Sequence, residues 1–176
     1  AREHAIIKSL NESKKEKEIY CLASNNNPGI SDICNELKIV DINNSEIIKD
    51  YSIKQSINIA IIGPENPLAC GVADSLWEAG IGVIGPKKNL AQIETSKSFT
   101  RNLLREYKIP GCPKFKTFIN MEGVEDFLSL LGEDYVVKYD GLAGGKGVKV
   151  AGDHLHSHEE ALSYCKDLIE SGGHFV

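Results

Sequence analysis

The run Ile57-Asn-Ile-Ala-Ile-Ile62 constrains the fold more than any other segment, because it is apolar at nearly every position rather than at every second one. A strand of that kind is expected to be central and covered on both faces, as in a parallel sheet flanked by helices. The surrounding sequence agrees. Strand-type runs at 18–23, 38–42, 57–62 and 81–84 alternate with helical spacing at 45–55 and 68–78, and such alternation implies parallel strands joined by crossover helices. The chain opens on helical spacing at 1–10, with Ala5, Ile6 and Leu10 on one side and no capping residue before them. Gly63-Pro-Glu-Asn-Pro67 follows the apolar run directly, so this loop leaves the carboxyl end of a strand, the usual ligand edge of an open α/β sheet. Glu65 there is either a partner for substrate hydroxyls or a solvated residue in a proline-stiffened connection.

After Gly85-Pro86 the pattern shifts to helices at 89–94 and 96–107, then Pro110 and Pro113 punctuate a connector. A domain boundary is expected near 86–95, dividing the chain into 1–90 and 91–176. Beyond the connector the sequence predicts a strand at 114–118, a helix at 121–131, strands at 135–140 and 148–151, a helix at 157–171 and a strand beginning at His174. The polar stretch Ser24-Asn-Asn-Asn27 before Pro28-Gly29 reads as a loop.

Between the strands at 135–140 and 148–151 lies Gly141-Leu-Ala-Gly-Gly-Lys-Gly147. Glycines permit positive φ and close backbone approach, so amide N–H groups can converge on an anion, and Lys146 adds a point charge. The pattern is that of a hairpin that holds phosphates. It is not a Walker A loop, since Gly147 follows Lys146 and Asp140 stands where the first glycine belongs. Nor is it a dinucleotide fingerprint, because Val148, Lys149 and Val150 continue as strand rather than helix. Lys138 interrupts the apolar run Val136-Val-Lys-Tyr139, where a lysine is costly unless it has a partner. The other reading is an edge strand from which Lys138 snorkels to water.

The 176 residues carry a net charge of −5, with a sequence pI near 5.6. That balance gives no global positive field for nucleic acid or an anionic membrane. Apolar runs fall short of the ~20 residues of a membrane span and the N-terminus lacks a signal-peptide pattern, so a cytoplasmic location is expected. Cys21, Cys34, Cys70, Cys112 and Cys165 are odd in number and without a Cys-x-x-Cys pair, which predicts reduced thiols. His154, His156 and His158 would share a face if extended, with Asp153 adjacent; their place between a strand and a helix start favours a solvated loop over a metal site.

Taken together, Arg2-Glu-His-Ala5, Gly63-Pro-Glu-Asn-Pro-Leu68, Thr95-Ser-Lys97 and Val137-Lys-Tyr-Asp-Gly-Leu-Ala-Gly-Gly-Lys-Gly-Val148 resemble the phosphoribosylamine–glycine ligase family of the ATP-grasp superfamily, in family order and over nearly the whole chain. The resemblance implies an α/β fold with a Rossmann-like, parallel-sheet N-terminal substrate domain at 1–90, followed at 91–176 by the start of an ATP-grasp domain. It implies a carbon–nitrogen ligase of purine biosynthesis: a glycine carboxylate attacks the γ-phosphate of ATP, and the amine of 5-phosphoribosylamine displaces phosphate from glycyl phosphate. Protein groups then position and neutralise rather than react covalently.

By the same resemblance, Lys97, Lys138 and Lys146, with Gly141, Gly144, Gly145 and Gly147, contact ATP phosphates. Glu3, Gly63, Pro64 and Glu65 lie near the phosphoribosylamine sugar. On its own, Lys97 at a helix start reads as a solvated residue, Arg2 as a surface charge, and His4 as a packed or capping histidine. No catalytic residue and no metal ligand is assigned within the sequence. Mg2+ or Mn2+, the adenine hinge and most of the glycine site would be met by residues after Val176, and a first strand with its glycine-rich turn would precede Arg2. The 176 residues alone are therefore expected to be inactive. Ser24-Asn-Asn-Asn-Pro-Gly-Ile30 departs from the family's Pro-Gly-Asn-x-Gly turn. The readings set against this one are another ATP-grasp ligase or carboxylase and a non-catalytic ATP-binding module. The expected partners are small molecules, with neither nucleic acid nor membrane.

Overall fold

The computed structural model describes residues 2–176, which form two compact units, 1–91 and 92–176. In the first unit the elements are α1 (Arg2–Glu12), β1 (Tyr20–Ala23), α2 (Pro28–Ser31), β2 (Glu36–Ile39), α3 (Ser45–Lys54), β3 (Ile59–Ile61), α4 (Glu65–Ala69), α5 (Val72–Glu78) and β4 (Gly82–Ile84). Strands β1 and β2 pair in parallel with Tyr20 opposite Glu36, and β3 and β4 pair in parallel with Ile59 opposite Gly82. The core is Ile48, Val72, Leu76 and Ile81, with Leu22, Ala60, Ile62 and Val83 packed against it. Strand alternation explains the choice: Ala60 and Val83 share the face turned to α3 and α5, whereas Ile59, Ile61 and Ile84 share the other.

That other face departs from expectation. Ile59 is 64% exposed and Ile84 60%, so the run at 57–62 is not covered on both sides among the described residues. The predicted helix at 68–78 is also two helices. It starts earlier, at Glu65, and breaks at Gly71, whose φ of 84° lies in the left-handed region that glycine enters without strain. The segment read as a loop contains α2, where the Asn27 side chain accepts the Ile30 N–H and Pro28 sits in the first turn.

Helix α6 (Lys88–Thr95) spans the division between the units, and the second unit continues with α7 (Lys97–Glu106), α8 (Val124–Leu131), β5 (Val136–Lys138), β6 (Val148–Val150) and α9 (His158–Glu170). Strands β5 and β6 form the antiparallel hairpin expected around the glycine loop, with Lys138 opposite Val148. On its free side β5 receives the chain end: the Lys138 N–H donates to the Val176 carbonyl at 2.8 Å and the Val176 N–H returns to the Lys138 carbonyl at 2.8 Å. The predicted strand at 114–118 is reduced to a bridge between Phe118 and Phe175. The buried core beneath is Phe118, Val124, Leu128, Tyr135, Val137, Leu155, Ala161, Cys165 and Phe175.

Candidate functional site

The sequence-predicted residues gather into two groups, one in each unit. In the first unit, α1 brings Arg2, Glu3 and His4 to loops that follow strands β1 and β3. The Arg2 Nη1 donates to Glu65 Oε1 at 3.0 Å, and Arg2 Nε lies 3.8 Å from Glu3 Oε1. Arg2 is thus engaged by carboxylates rather than being a bare surface charge. Glu65 is the first residue of α4, after Pro64, whose extended φ of −88° ends the β3 connection. Its carboxyl is held below the ordinary value, first by a hydrogen bond from its own backbone N–H and then by the Arg2 guanidinium.

Glycines here mark close approach. A Cβ at Gly63 would lie 2.9 Å from the Glu3 Cγ, and one at Gly29 would lie 2.5 Å from the His4 Cε1. His4 is therefore packed against the backbone at Gly29, and Glu3 against that at Gly63. The group is open, with the Glu65 side chain 38% and that of Arg2 59% exposed.

In the second unit the sheet positions Lys138. Val137 is 3% exposed and faces the core, so Lys138 lies on the opposite face, half-buried. The edge-strand reading of this lysine does not hold, since β5 has hydrogen-bonded neighbours on both sides. Among the described residues Lys138 forms no ion pair.

Past Lys138 the chain passes Tyr139 and Asp140 into the glycine loop. The Lys146 N–H donates to the Ala143 carbonyl at 2.9 Å, and the residues between, Gly144 and Gly145, have φ of 54° and 80°. Two consecutive positive φ values demand glycine or asparagine, which explains the Gly-Gly pair. The turn leaves Lys146 exposed at its end. At the base, a Cβ on Gly141 would come within 2.6 Å of the Tyr139 ring, and one on Gly147 within 2.7 Å of the Ala143 Cβ and 3.0 Å of the Tyr139 Cβ.

Lys97 comes from α7. Its Nζ donates to the Gly141 carbonyl at 2.8 Å, so the helix start and the loop meet. Sequence reasoning missed what holds them: Asp140 accepts from the backbone and hydroxyl groups of residues 96–98. The signal available was Ser96-Lys-Ser98, a run of donors at a helix start, but no spacing rule ties it to a carboxylate more than forty residues away.

The histidines divide among separate tasks. His158 Nε2 lies 3.1 Å from the Gly132 carbonyl, His154 Nδ1 accepts weakly from the Val150 N–H, and the His156 N–H donates to Glu160. Among the described residues no group of three or more His, Cys, Asp or Glu is placed to hold a metal ion.

The second unit thus carries a glycine-turn hairpin with Lys138 on its strand and Lys146 on its turn, met by Lys97 from α7, and it is matched by an ATP-grasp family model. Residues 95–175 match the "Phosphoribosylglycinamide synthetase, ATP-grasp (A) domain", and residues 1–94 match the "Phosphoribosylglycinamide synthetase, N domain". The chain belongs to the phosphoribosylglycinamide synthetase family. It is 44% identical over 171 residues to a phosphoribosylamine–glycine ligase of Methanosarcina barkeri, a match that takes in 97% of this chain and 39% of that protein. The chain thus spans about two-fifths of the length of the curated relatives it matches.

Among solved structures, a phosphoribosylamine–glycine ligase from Thermotoga maritima superposes with a TM-score of 0.72 at 22% identity, over 99% of this chain and 40% of that one. The biotin carboxylase domain of Hydrogenobacter thermophilus 2-oxoglutarate carboxylase, in complex with MgADP and bicarbonate, gives 0.67 at 16% identity, over 98% and 40% of the two chains. Both likenesses are of fold.

Proposed function

We propose that the protein carrying this chain is an ATP-dependent ligase that joins glycine to 5-phosphoribosylamine through glycyl phosphate, releasing ADP and phosphate. The observation that carries the reading is the second-unit cluster, in which a half-buried, unpaired Lys138 lies one residue from the anchored base of a glycine turn ending in Lys146. Acyl-phosphate chemistry on ATP needs charge neutralisation around the transferred phosphoryl group more than it needs a nucleophile. Three lysines from a strand, a helix and a turn supply it from separate directions. Lys97 donates to the Gly141 carbonyl, and its ammonium would be shared with phosphate oxygens once ATP is seated. Gly141, Gly144, Gly145 and Gly147 let the turn approach the phosphates and exclude water from a hydrolysable acyl phosphate.

In the first unit the part-buried group Glu3, Gly63, Pro64 and Glu65 is assigned to the sugar of phosphoribosylamine. Carboxylates there accept hydrogen bonds from ribose hydroxyls, and the Arg2 guanidinium orients the Glu65 carboxylate. Mg2+ would accompany ATP and neutralise its phosphates, as in the MgADP complex of the fold neighbour. Its protein ligands are assigned to the part of the family's length that this chain does not span. All substrates are small and soluble, consistent with a cytoplasmic enzyme that needs neither nucleic acid nor membrane. No described helix is long and apolar enough to cross a bilayer.

The test is ADP release by the intact protein with ATP and magnesium, adding glycine and freshly generated phosphoribosylamine separately and together. Release that requires both establishes the ligase. Release with another carboxylate and amine keeps the ATP-grasp chemistry and removes the substrate assignment, and nucleotide binding without turnover under any pairing favours a binding module.

A further inference from the structure

The carboxylate of Asp140 stands where the strand, the loop and the helix that carry the three lysines come together. It stands two residues after Lys138, immediately before the glycine loop, and against the start of α7, whose first residue is Lys97. Its Oδ1 accepts the Lys97 N–H at 2.6 Å and the Ser98 N–H at 3.2 Å, and the Ser96 hydroxyl at 3.2 Å; its Oδ2 accepts the Ser98 hydroxyl. Two otherwise orphaned amides of the first turn are thereby satisfied by a charge that also complements the helix dipole. A reciprocal bond closes the arrangement, from the Lys97 Nζ to the carbonyl of Gly141. Lys97 is thus tied at both ends, by its amide to Asp140 and by its ammonium to the next residue along.

From this geometry we infer that Asp140 is a positioning residue for the nucleotide site: it locks the start of α7 to the base of the glycine loop and so fixes Lys97, Lys138 and the hinge of the turn in one frame. A consequence separates it from an ordinary helix cap. Because Asp140 already fills the amide end of α7, an incoming phosphate cannot use those N–H groups and must be met by the Lys97 side chain. Tyr139 closes the frame from the opposite strand face, its ring lying where Cβ atoms at Gly141 and Gly173 would come within 2.6 and 2.8 Å. The open part of the loop is then Gly144 and Gly145, where added Cβ atoms meet nothing within 4 Å.

The inference rests on the reading of the second unit as an ATP site, and its test keeps the two apart. Asp140→Asn in the intact protein removes the charge at nearly constant volume, leaving one oxygen for the α7 amides and a donor in place of the oxygen that accepts from the Ser98 hydroxyl. The expected result is a KM for ATP raised by about tenfold or more, the scale of one charge-assisted hydrogen bond, with the KM for the amine substrate unchanged. Amide hydrogen exchange at Lys97, Ser98 and 141–147 should quicken. Ser98→Ala, which removes a single donor, should shift the same quantities in the same direction by less. Unchanged KM for ATP with wild-type exchange overturns the role of Asp140, and so does a fall in kcat that only tracks the folded fraction. If the unsubstituted protein binds no ATP, the ligase reading falls and takes the nucleotide half of the inference with it. The exchange comparison then still decides whether Asp140 joins α7 to the loop.

Discussion

The two residue groups are held by opposite means. In the first unit the contacts are between side chains in water: a guanidinium on two carboxylates, with both Glu65 and Arg2 more than a third exposed. In the second unit the contacts run through backbone, with a part-buried carboxylate collecting amide N–H groups and a lysine resting on a carbonyl. An exposed ion pair fixes charge without fixing geometry, since it is screened and loses side-chain entropy on forming. A carboxylate bound to amides fixes both. The difference suits the tasks assigned to each: hydroxyl recognition tolerates adjustable partners, whereas phosphoryl transfer depends on placement.

The strongest challenge to this contrast is Lys138→Met in the intact protein, which keeps the aliphatic stem in its packing and removes the charge. It should lower kcat/KM for ATP by about 2 to 3 kcal/mol or more, on the order of a hundredfold, without a matching loss of stability. Normal turnover would demote the lysine to a structural part of β5. The same steady-state comparison on Lys146→Ala is expected to be no larger, because that ammonium is exposed at the tip of the turn.

The second unit should also show its burial in alkali. Cys165 is fully buried, and burial pushes its thiol from 9.0 up to about 11. Below pH 9 the thiol is protonated in folded and unfolded chains alike, so its contribution is fully present. As pH rises from 9 toward 11 the unfolded chain deprotonates first, and stability is lost, by about 2 kcal/mol near pH 10.5. The fall in the denaturant midpoint between pH 8 and 10.5 should be smaller in Cys165→Ala than in the unsubstituted protein, whatever the small cavity costs at both. In the first unit Tyr51 is pushed from 10.0 to about 12, first by burial and then by its hydrogen bond to Glu36. Its loss therefore begins one unit higher, and an unchanged pH dependence in Cys165→Ala would remove the assignment.

Within the loop the contrast is sharpened by moving one methyl group. Gly147→Ala places a Cβ against Ala143 and Tyr139, and the resulting shift of the turn should weaken nucleotide binding by about 1 to 3 kcal/mol. At Gly144 there is open space, so Gly144→Ala carries only the cost of left-handed φ, about 1 kcal/mol. Equal effects at the two positions would mean that the loop base is not fixed.

How much of this was legible in the sequence depends on the range of the forces involved. Helices α3, α7 and α9 start where Asn44, Ser96 and Ser157 cap them, because capping is settled within four residues. The β5–β6 hairpin was legible for the same reason, its turn chemistry and alternating faces being local. The break at Gly71 was not, since helical spacing continues across it and only the left-handed φ reveals the kink. The exposure of Ile59 was also hidden: an all-apolar run states what a strand tolerates, not what covers it. Among the site residues, Lys138, Lys146 and the loop glycines announced themselves by type and spacing, whereas Lys97 entered only through the family resemblance. Asp140 did neither, because its partners lie more than forty residues away and half of them are main-chain amides, which look alike in every sequence.

The smallest expected effect lies at the Arg2–Glu65 pair, and its smallness is the point. Both side chains are exposed, so Arg2→Ala should cost no more than about 1 kcal/mol of stability. The Glu65 carboxyl is depressed, so whatever the pair contributes is present above its ordinary value of 4.5 and is lost as pH falls below that. Substrate recognition is a different matter. Without the guanidinium, Glu65 and Glu3 are left as neighbouring carboxylates at the start of two helices, free to turn away from the loop at Gly63. Arg2→Ala should therefore raise the KM for the amine substrate while leaving the KM for ATP unchanged, the mirror image of the outcome expected for Asp140→Asn. A thermal midpoint that drops by many degrees would show instead that the pair is a structural support, and the opposition between an adjustable site and a fixed one would not stand.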